Sequence, residues 1–68
     1  MAKFKVIRDD EHIYTEGQII TDSQIIADYL NAAAQTEDAD LIGWIQTLHP
    51  TDAAYEISDI WDIVIEEI

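Results

Sequence analysis

The chain contains no cysteine, and beyond Arg8 it contains no lysine or arginine. The first absence excludes disulfides and thiolate zinc sites as staples of the fold. It fits a reducing compartment, and a cytoplasmic location is expected. The second absence leaves fifteen carboxylates against Lys3, Lys5 and Arg8, for a net charge of −12. Binding to a nucleic acid or to an anionic membrane surface requires cations, so neither is expected. No apolar run approaches the roughly 18 residues of a membrane span. The basic start MAKFKVIRDD is followed by no apolar signal-peptide core. A glycine-rich phosphate loop and paired histidines are also missing. His12 and His49 stand apart and read as a turn residue and a helix-end residue, not as metal ligands. No cofactor or metal is expected.

With 68 residues and a hydrophobic fraction of 49%, the chain suits one small globular domain, residues 1–68. A domain of this size buries only about 60% of its unfolded surface. That leaves little room for an enclosed site that could shift a pKa for acid–base work, so the chain is not expected to be an enzyme. Unpaired negative charge opposes compaction, and solubility would be met by a net charge of about 2–8 in magnitude. The excess therefore calls for a reason. A core rich in isoleucine, not thinned to alanine and valine, argues against adaptation to salt.

The pattern predicts an α+β fold: an N-terminal β-hairpin, about 3–20, followed by three helices. KFKVIR and HIYTEGQII supply the strands, 3–8 and 12–20, with a turn in DDE. A tight turn there sets Lys5 opposite Glu16, an attractive cross-strand pair. Gly17 marks a bulge. Thr21-x-x-Gln24 is a capping box flanked by Ile20 and Ile25 as a hydrophobic staple. It starts a helix over 22–34 that buries Ile25, Ile26, Tyr29, Leu30 and Ala33. A second helix, 38–48, is capped by Thr36 or Asp38 and buries Leu41, Ile42, Ile45 and Leu48. Gly43 within it costs about 1 kcal/mol relative to alanine, which close packing against a neighbour would explain. His49-Pro50 ends this helix.

Thr51 caps the last segment, TDAAYEISDIWDIVIEEI, which holds six carboxylates and no base. At 100° per residue, Ala53, Ala54, Ile57, Ile60, Trp61, Val64, Ile65 and Ile68 share one face. This predicts a helix over 52–67 with Ile63 exposed among the acids. The competing reading is a late strand, in which Trp61, Ile63 and Ile65 alternate and Ile63 is buried.

Asp52, Tyr55, Glu56, Asp59, Asp62, Ile63, Glu66 and Glu67 form the candidate partner-binding set. Carboxylates three and four residues apart on a helix lie about 5–6 Å apart, a spacing comparable with that of phosphates along a nucleic-acid strand. Such a stripe suits a cationic groove built for a nucleic-acid backbone, with Tyr55 and Ile63 as apolar anchors. A second acidic cluster, Glu37, Asp38 and Asp40, serves helix capping. It lacks the third acid and closing glutamate of a calcium loop. Asp22-Ser23 resembles the Asp-Ser-Leu motif of acyl carrier proteins, in which the serine carries a phosphopantetheine arm, although Gln24 stands in the third position. As a class, compact acidic chains without cysteine resemble inhibitors of restriction, CRISPR or host DNA enzymes encoded by phages and mobile elements. The function expected is inhibition of a basic, nucleic-acid-binding protein by mimicry of phosphate charge, acting as a monomer or small homo-oligomer. An acidic antitoxin or regulatory subunit that neutralises a basic protein is the alternative, and a carrier protein the third.

Overall fold

A computed structural model describes residues 2–35 and 38–68. Strand β1 (Lys3–Asp9) lies at the centre of the fold, because apolar Phe4 and Val6 alternate with Lys3 and Lys5 and are fully buried. It pairs antiparallel on one edge with β2 (Ile19–Thr21) and on the other with β3 (Ile63–Glu67), in the order β2-β1-β3. Helices α1 (Asp22–Ala33), α2 (Ala39–Thr47) and α3 (Pro50–Ile60) connect β2 to β3. The expected α+β class holds, with a third strand added to it. Ile25, Tyr29 and Ala33 of α1, Ile45 of α2, and Ala53, Ala54 and Ile57 of α3 close the core over one sheet face.

A β-bulge in β1 decides which charge enters that core. Val6 pairs with Ile65, but Arg8 pairs with Val64, so β1 carries one extra residue. Strict alternation would place Arg8 on the face of Phe4 and Val6. The extra residue flips the remainder of the strand. Ile7 and Arg8 both point outward, and Asp9 turns inward opposite Ile63.

The second strand is shorter than the sequence pattern suggests, Ile19–Thr21 in place of 12–20. Lys5 consequently faces Ile19 and not Glu16. Buried Asp9 is the cause: its carboxylate accepts from the backbone N–H of Glu11 and of Tyr14, folding the chain into a loop. Gly17, at φ +86°, occupies the third position of a turn closed by Gln18 N–H donating to Thr15 C=O at 3.0 Å. The Gly17 N–H donates to Val6 C=O, and the Val6 N–H donates to Gln18 C=O. Two residues thus face one, which is the bulge expected at Gly17.

Helix α1 starts at the predicted cap, where the Thr21 hydroxyl accepts from Gln24 N–H at 3.1 Å. In α2, Asp38 accepts from Leu41 N–H at 3.2 Å, whereas Thr36 lies outside the described residues. Only Ile45 of the expected α2 stripe is fully buried; Leu41, Ile42 and Leu48 are half-buried against the core. A Cβ added at Gly43 would meet no atom within 4 Å, so close packing does not account for this glycine. Helix α3 is capped by His49, whose Nδ1 accepts from Thr51 N–H at 3.3 Å, and not by Thr51 itself. Pro50 takes the first helical position, where its missing N–H costs nothing.

The 52–67 helix is the main correction. α3 ends at Ile60, Asp62 adopts φ +57°, and the chain reverses into β3. Aspartate tolerates the left-handed conformation better than most side chains. The β-branched run Ile63-Val64-Ile65 then completes the open edge of β1. Ile63 is 5% exposed and belongs to the core, while Ile60 is 42% exposed. Both assignments reverse those of the single-helix reading and favour the strand reading over 63–67.

Two expectations follow and can be checked by chemical denaturation. Ile63→Ala lowers stability by about 2–5 kcal/mol, and Ile63→Asp by more, whereas Ile60→Ala changes it by about 0.5 kcal/mol. Equal losses at 60 and 63 would contradict the helix–turn–strand ending. At the glycines the signs differ. Gly43→Ala raises stability by up to about 1 kcal/mol, since the site is open and helical. Gly17→Ala lowers it by about 1–2 kcal/mol through its positive φ.

Candidate protein-binding surface

Helix α3 buries Ala53, Ala54, Ile57 and Ser58. The 100° step between residues therefore turns Asp52, Tyr55, Glu56 and Asp59 away from the core. Asp52 and Asp59 are exposed and Glu56 is half-buried. These three acids sit at i, i+4 and i+7, neighbours along one helix face. Tyr55 stands beside them, 41% exposed, with its ring edge-on to Phe4 at 5.4 Å and an interplanar angle of 84°. Phe4 gives Tyr55 a rigid footing, so the exposed part of the ring is held in place. Across the sheet Phe4 pairs with Glu67. Directly paired residues project to the same face, and Glu67 joins Tyr55 at this corner.

The remaining predicted residues divide. Asp62 is exposed in the turn that follows α3. Glu66 pairs with Lys5 and projects to the opposite sheet face, away from the α3 acids. Ile63 is withdrawn into the core and provides no anchor. Asp38 and Asp40 lie at the start of α2, one as its cap and one in its first turn, both exposed. Glu37 lies outside the described residues. Ile60 was missed: it is exposed beside the α3 acids, and its position on the apolar arc of the longer helix hid it.

The cations lie elsewhere. Lys3, Lys5 and Arg8 project from the outer face of the sheet, opposite the helices, among exposed Ile7, Ile19 and Val64. Among the described residues the one ion pair is Arg8–Asp10, at 3.6 Å and exposed at both ends, a geometry that contributes little. The molecule is thus polarised, with an acidic helical layer and a sheet face that holds every lysine and arginine.

Three buried ionisable groups brace this layer. The Tyr14 hydroxyl donates to Asp28 Oδ2 at 2.6 Å, tying the 10–18 loop to α1. Burial, and then the bond to Asp28 and the charges of Asp28 and Asp9, push the Tyr14 phenol far above its ordinary value. Burial and the Asp38 charge also push Tyr29 upward. At Asp22, burial opposes ionisation. The backbone N–H groups of Ala2 and Ser23 nevertheless donate to its carboxylate and hold it below the usual range. Among the described residues no three histidine or acidic side chains converge in a metal-binding group. No helix among them is long and apolar enough to cross a membrane.

The tyrosine shifts set the alkaline behaviour. A phenol whose folded pKa lies above its unfolded value of about 10 stabilises the fold fully below that pH. The contribution is lost as pH rises through the folded value. Spectrophotometric titration should therefore leave Tyr14 protonated beyond pH 10 until the chain unfolds. Tyr14→Phe should flatten the alkaline loss of stability. A Tyr14 phenol that titrates near pH 10 in folded protein would contradict the buried Tyr14–Asp28 bond. No protein-family model, no curated protein and no solved structure matches the chain.

Proposed function

We propose that this chain is a binding protein whose α3 surface enters the nucleic-acid groove of a basic protein and blocks it. The observation that carries the reading is the separation of charge. Asp52, Glu56 and Asp59 line one helix face around the half-exposed Tyr55, and the chain's cations project from the opposite side of the molecule. A solvated helix face would gain from interspersed lysines, and this one has none. The acids of α3 are about 6 Å apart per turn and present charge to a groove lined with Lys and Arg. Docking there releases counterions, as a phosphate backbone does. Tyr55, fixed on Phe4, is the anchor in this reading, since a rigid aromatic loses little entropy on binding. Asp62 and Glu67 extend the surface at the two ends of β3, while Glu66 and Ile63 leave the set. The role is inhibitory and cytoplasmic, as for phage- or mobile-element-encoded antagonists of DNA enzymes and defence systems.

The test begins with affinity capture of the partner from lysate. The purified pair is then titrated with the partner's own DNA or RNA at two salt concentrations. The nucleic acid should displace this protein, and the affinity of the pair should fall steeply with salt. Asp59→Asn should weaken binding modestly, and Tyr55→Ala more. The protein alone should leave the mobility of duplex DNA unchanged at low salt. Simultaneous binding of nucleic acid and this protein to the partner would exclude mimicry.

A further inference from the structure

A cleft of about 180 Å³ opens beside the acidic face of α3, where the C-terminal ends of α1 and α3 meet the start of α2. Its walls include Tyr29, Ala32, Leu41, Ile60 and Trp61, and among the described residues Asp38 is the charged group in its lining. The Tyr29 and Trp61 rings are 5.8 Å apart and inclined at 60°. Asp38 uses Oδ1 to cap α2. A carboxylate has capacity for further donors.

We propose that this cleft is a receptor for one cationic side chain, an arginine or lysine of the partner. The site deepens the proposed function, on which it rests for the basic character of the partner. Three observations favour this occupant. The walls are apolar and aromatic, which suits the methylene stem of such a side chain. The half-buried Trp61 ring, backed by the buried Tyr29 ring, and the Asp38 carboxylate together match its charged head, through cation–π attraction and a charge-assisted hydrogen bond. The chain as a whole carries −12, so the approaching surface is cationic. An aliphatic side chain would leave Asp38 without gain, and an anionic one would meet it as a like charge. Asp38 lines the same cleft as the two rings, and its charge adds to burial in pushing the Tyr29 phenol upward. Ile60, exposed on the flank of α3, joins the cleft to the acidic stripe, so a partner seated on α3 reaches both.

The two tryptophans make the test specific. Trp61 lines the cleft, whereas Trp44 is exposed on α2 outside it. The free protein is titrated with N-acetyl-arginine amide and N-acetyl-lysine amide, with the neutral isostere N-acetyl-citrulline amide as control. Indole N–H resonances are followed by NMR. The cationic probes should shift Trp61 and leave Trp44 nearly unmoved; citrulline should shift neither. Asp38→Asn should weaken the response about fivefold, since the ion pair is lost. Asparagine caps a helix as well as aspartate does, so this variant keeps α2. Ala32→Leu, at an exposed lining position, should abolish the response by filling the cleft. Equal shifts at both tryptophans, an unchanged response in Asp38→Asn, or equal binding of citrulline would overturn the proposal. No partner and no nucleic acid enters this titration, so its failure leaves the mimicry competition standing, and the reverse also holds.

Discussion

The pairing of β1 with β3 across a one-residue bulge is the constraint from which most of this structure follows. The bulge turns Arg8 out and Asp9 in. A buried arginine opposite Ile63 would have had no partner, and leaving it there would cost several kcal/mol. A buried aspartate instead finds the N–H groups of Glu11 and Tyr14. Those bonds shape the 10–18 loop and carry Tyr14 to Asp28 and to the Trp61 ring, 6.4 Å away. Trp61 is also the C-cap residue of α3. One slip of register thus connects the central strand, the long loop and the last helix turn.

The same pairing sorts the charges. Because Phe4 and Val6 face the helices, Lys3 and Lys5 must face away from them, and the bulge adds Arg8 to that side. The acids lie mainly on the helices and the connecting turns. An uncompensated acidic layer raises self-repulsion, and the core that opposes it is small. Phe4, Ile20, Ile25, Ile45, Ile57 and Val6 are its largest fully buried side chains. A fold under this load gains from a cationic partner, because docking relieves repulsion as well as forming contacts. That gives the charge asymmetry a physical use beyond solubility.

Local signals in the chain were reliable where the interaction that decided them was local. The Thr21 cap, the extent of α1 and the Asp38 cap each depend on a few consecutive residues. The two larger errors arose where the pairing of β1 with β3 decided. The apolar arc from Ala53 to Ile68 is continuous on a helical wheel, yet a free edge of β1 drew Ile63–Glu67 into the sheet. The hairpin pattern from His12 to Ile20 is equally plausible by alternation, yet the buried carboxylate of Asp9 drew the first part of it into a loop. In both places periodicity could not register the β1–β3 pairing, which offered an edge to the last strand and turned Asp9 inward to bond Glu11 and Tyr14.

The sequence by itself determined the charge imbalance, the confinement of all lysine and arginine to the first strand, the α+β class, and the acids at 52, 56 and 59 on one helix face. These depend on composition and on a period of 3.6 residues over a single turn or two. Tertiary structure alone decided that Ile63 is core and Ile60 surface, that Glu66 belongs with Lys5, and that Tyr55 rests on Phe4. It also brought Asp38 into one cleft with Tyr29 and Trp61. Each of these places residues far apart in the chain against one another, and their positions follow from which edge of β1 remained open for the last strand.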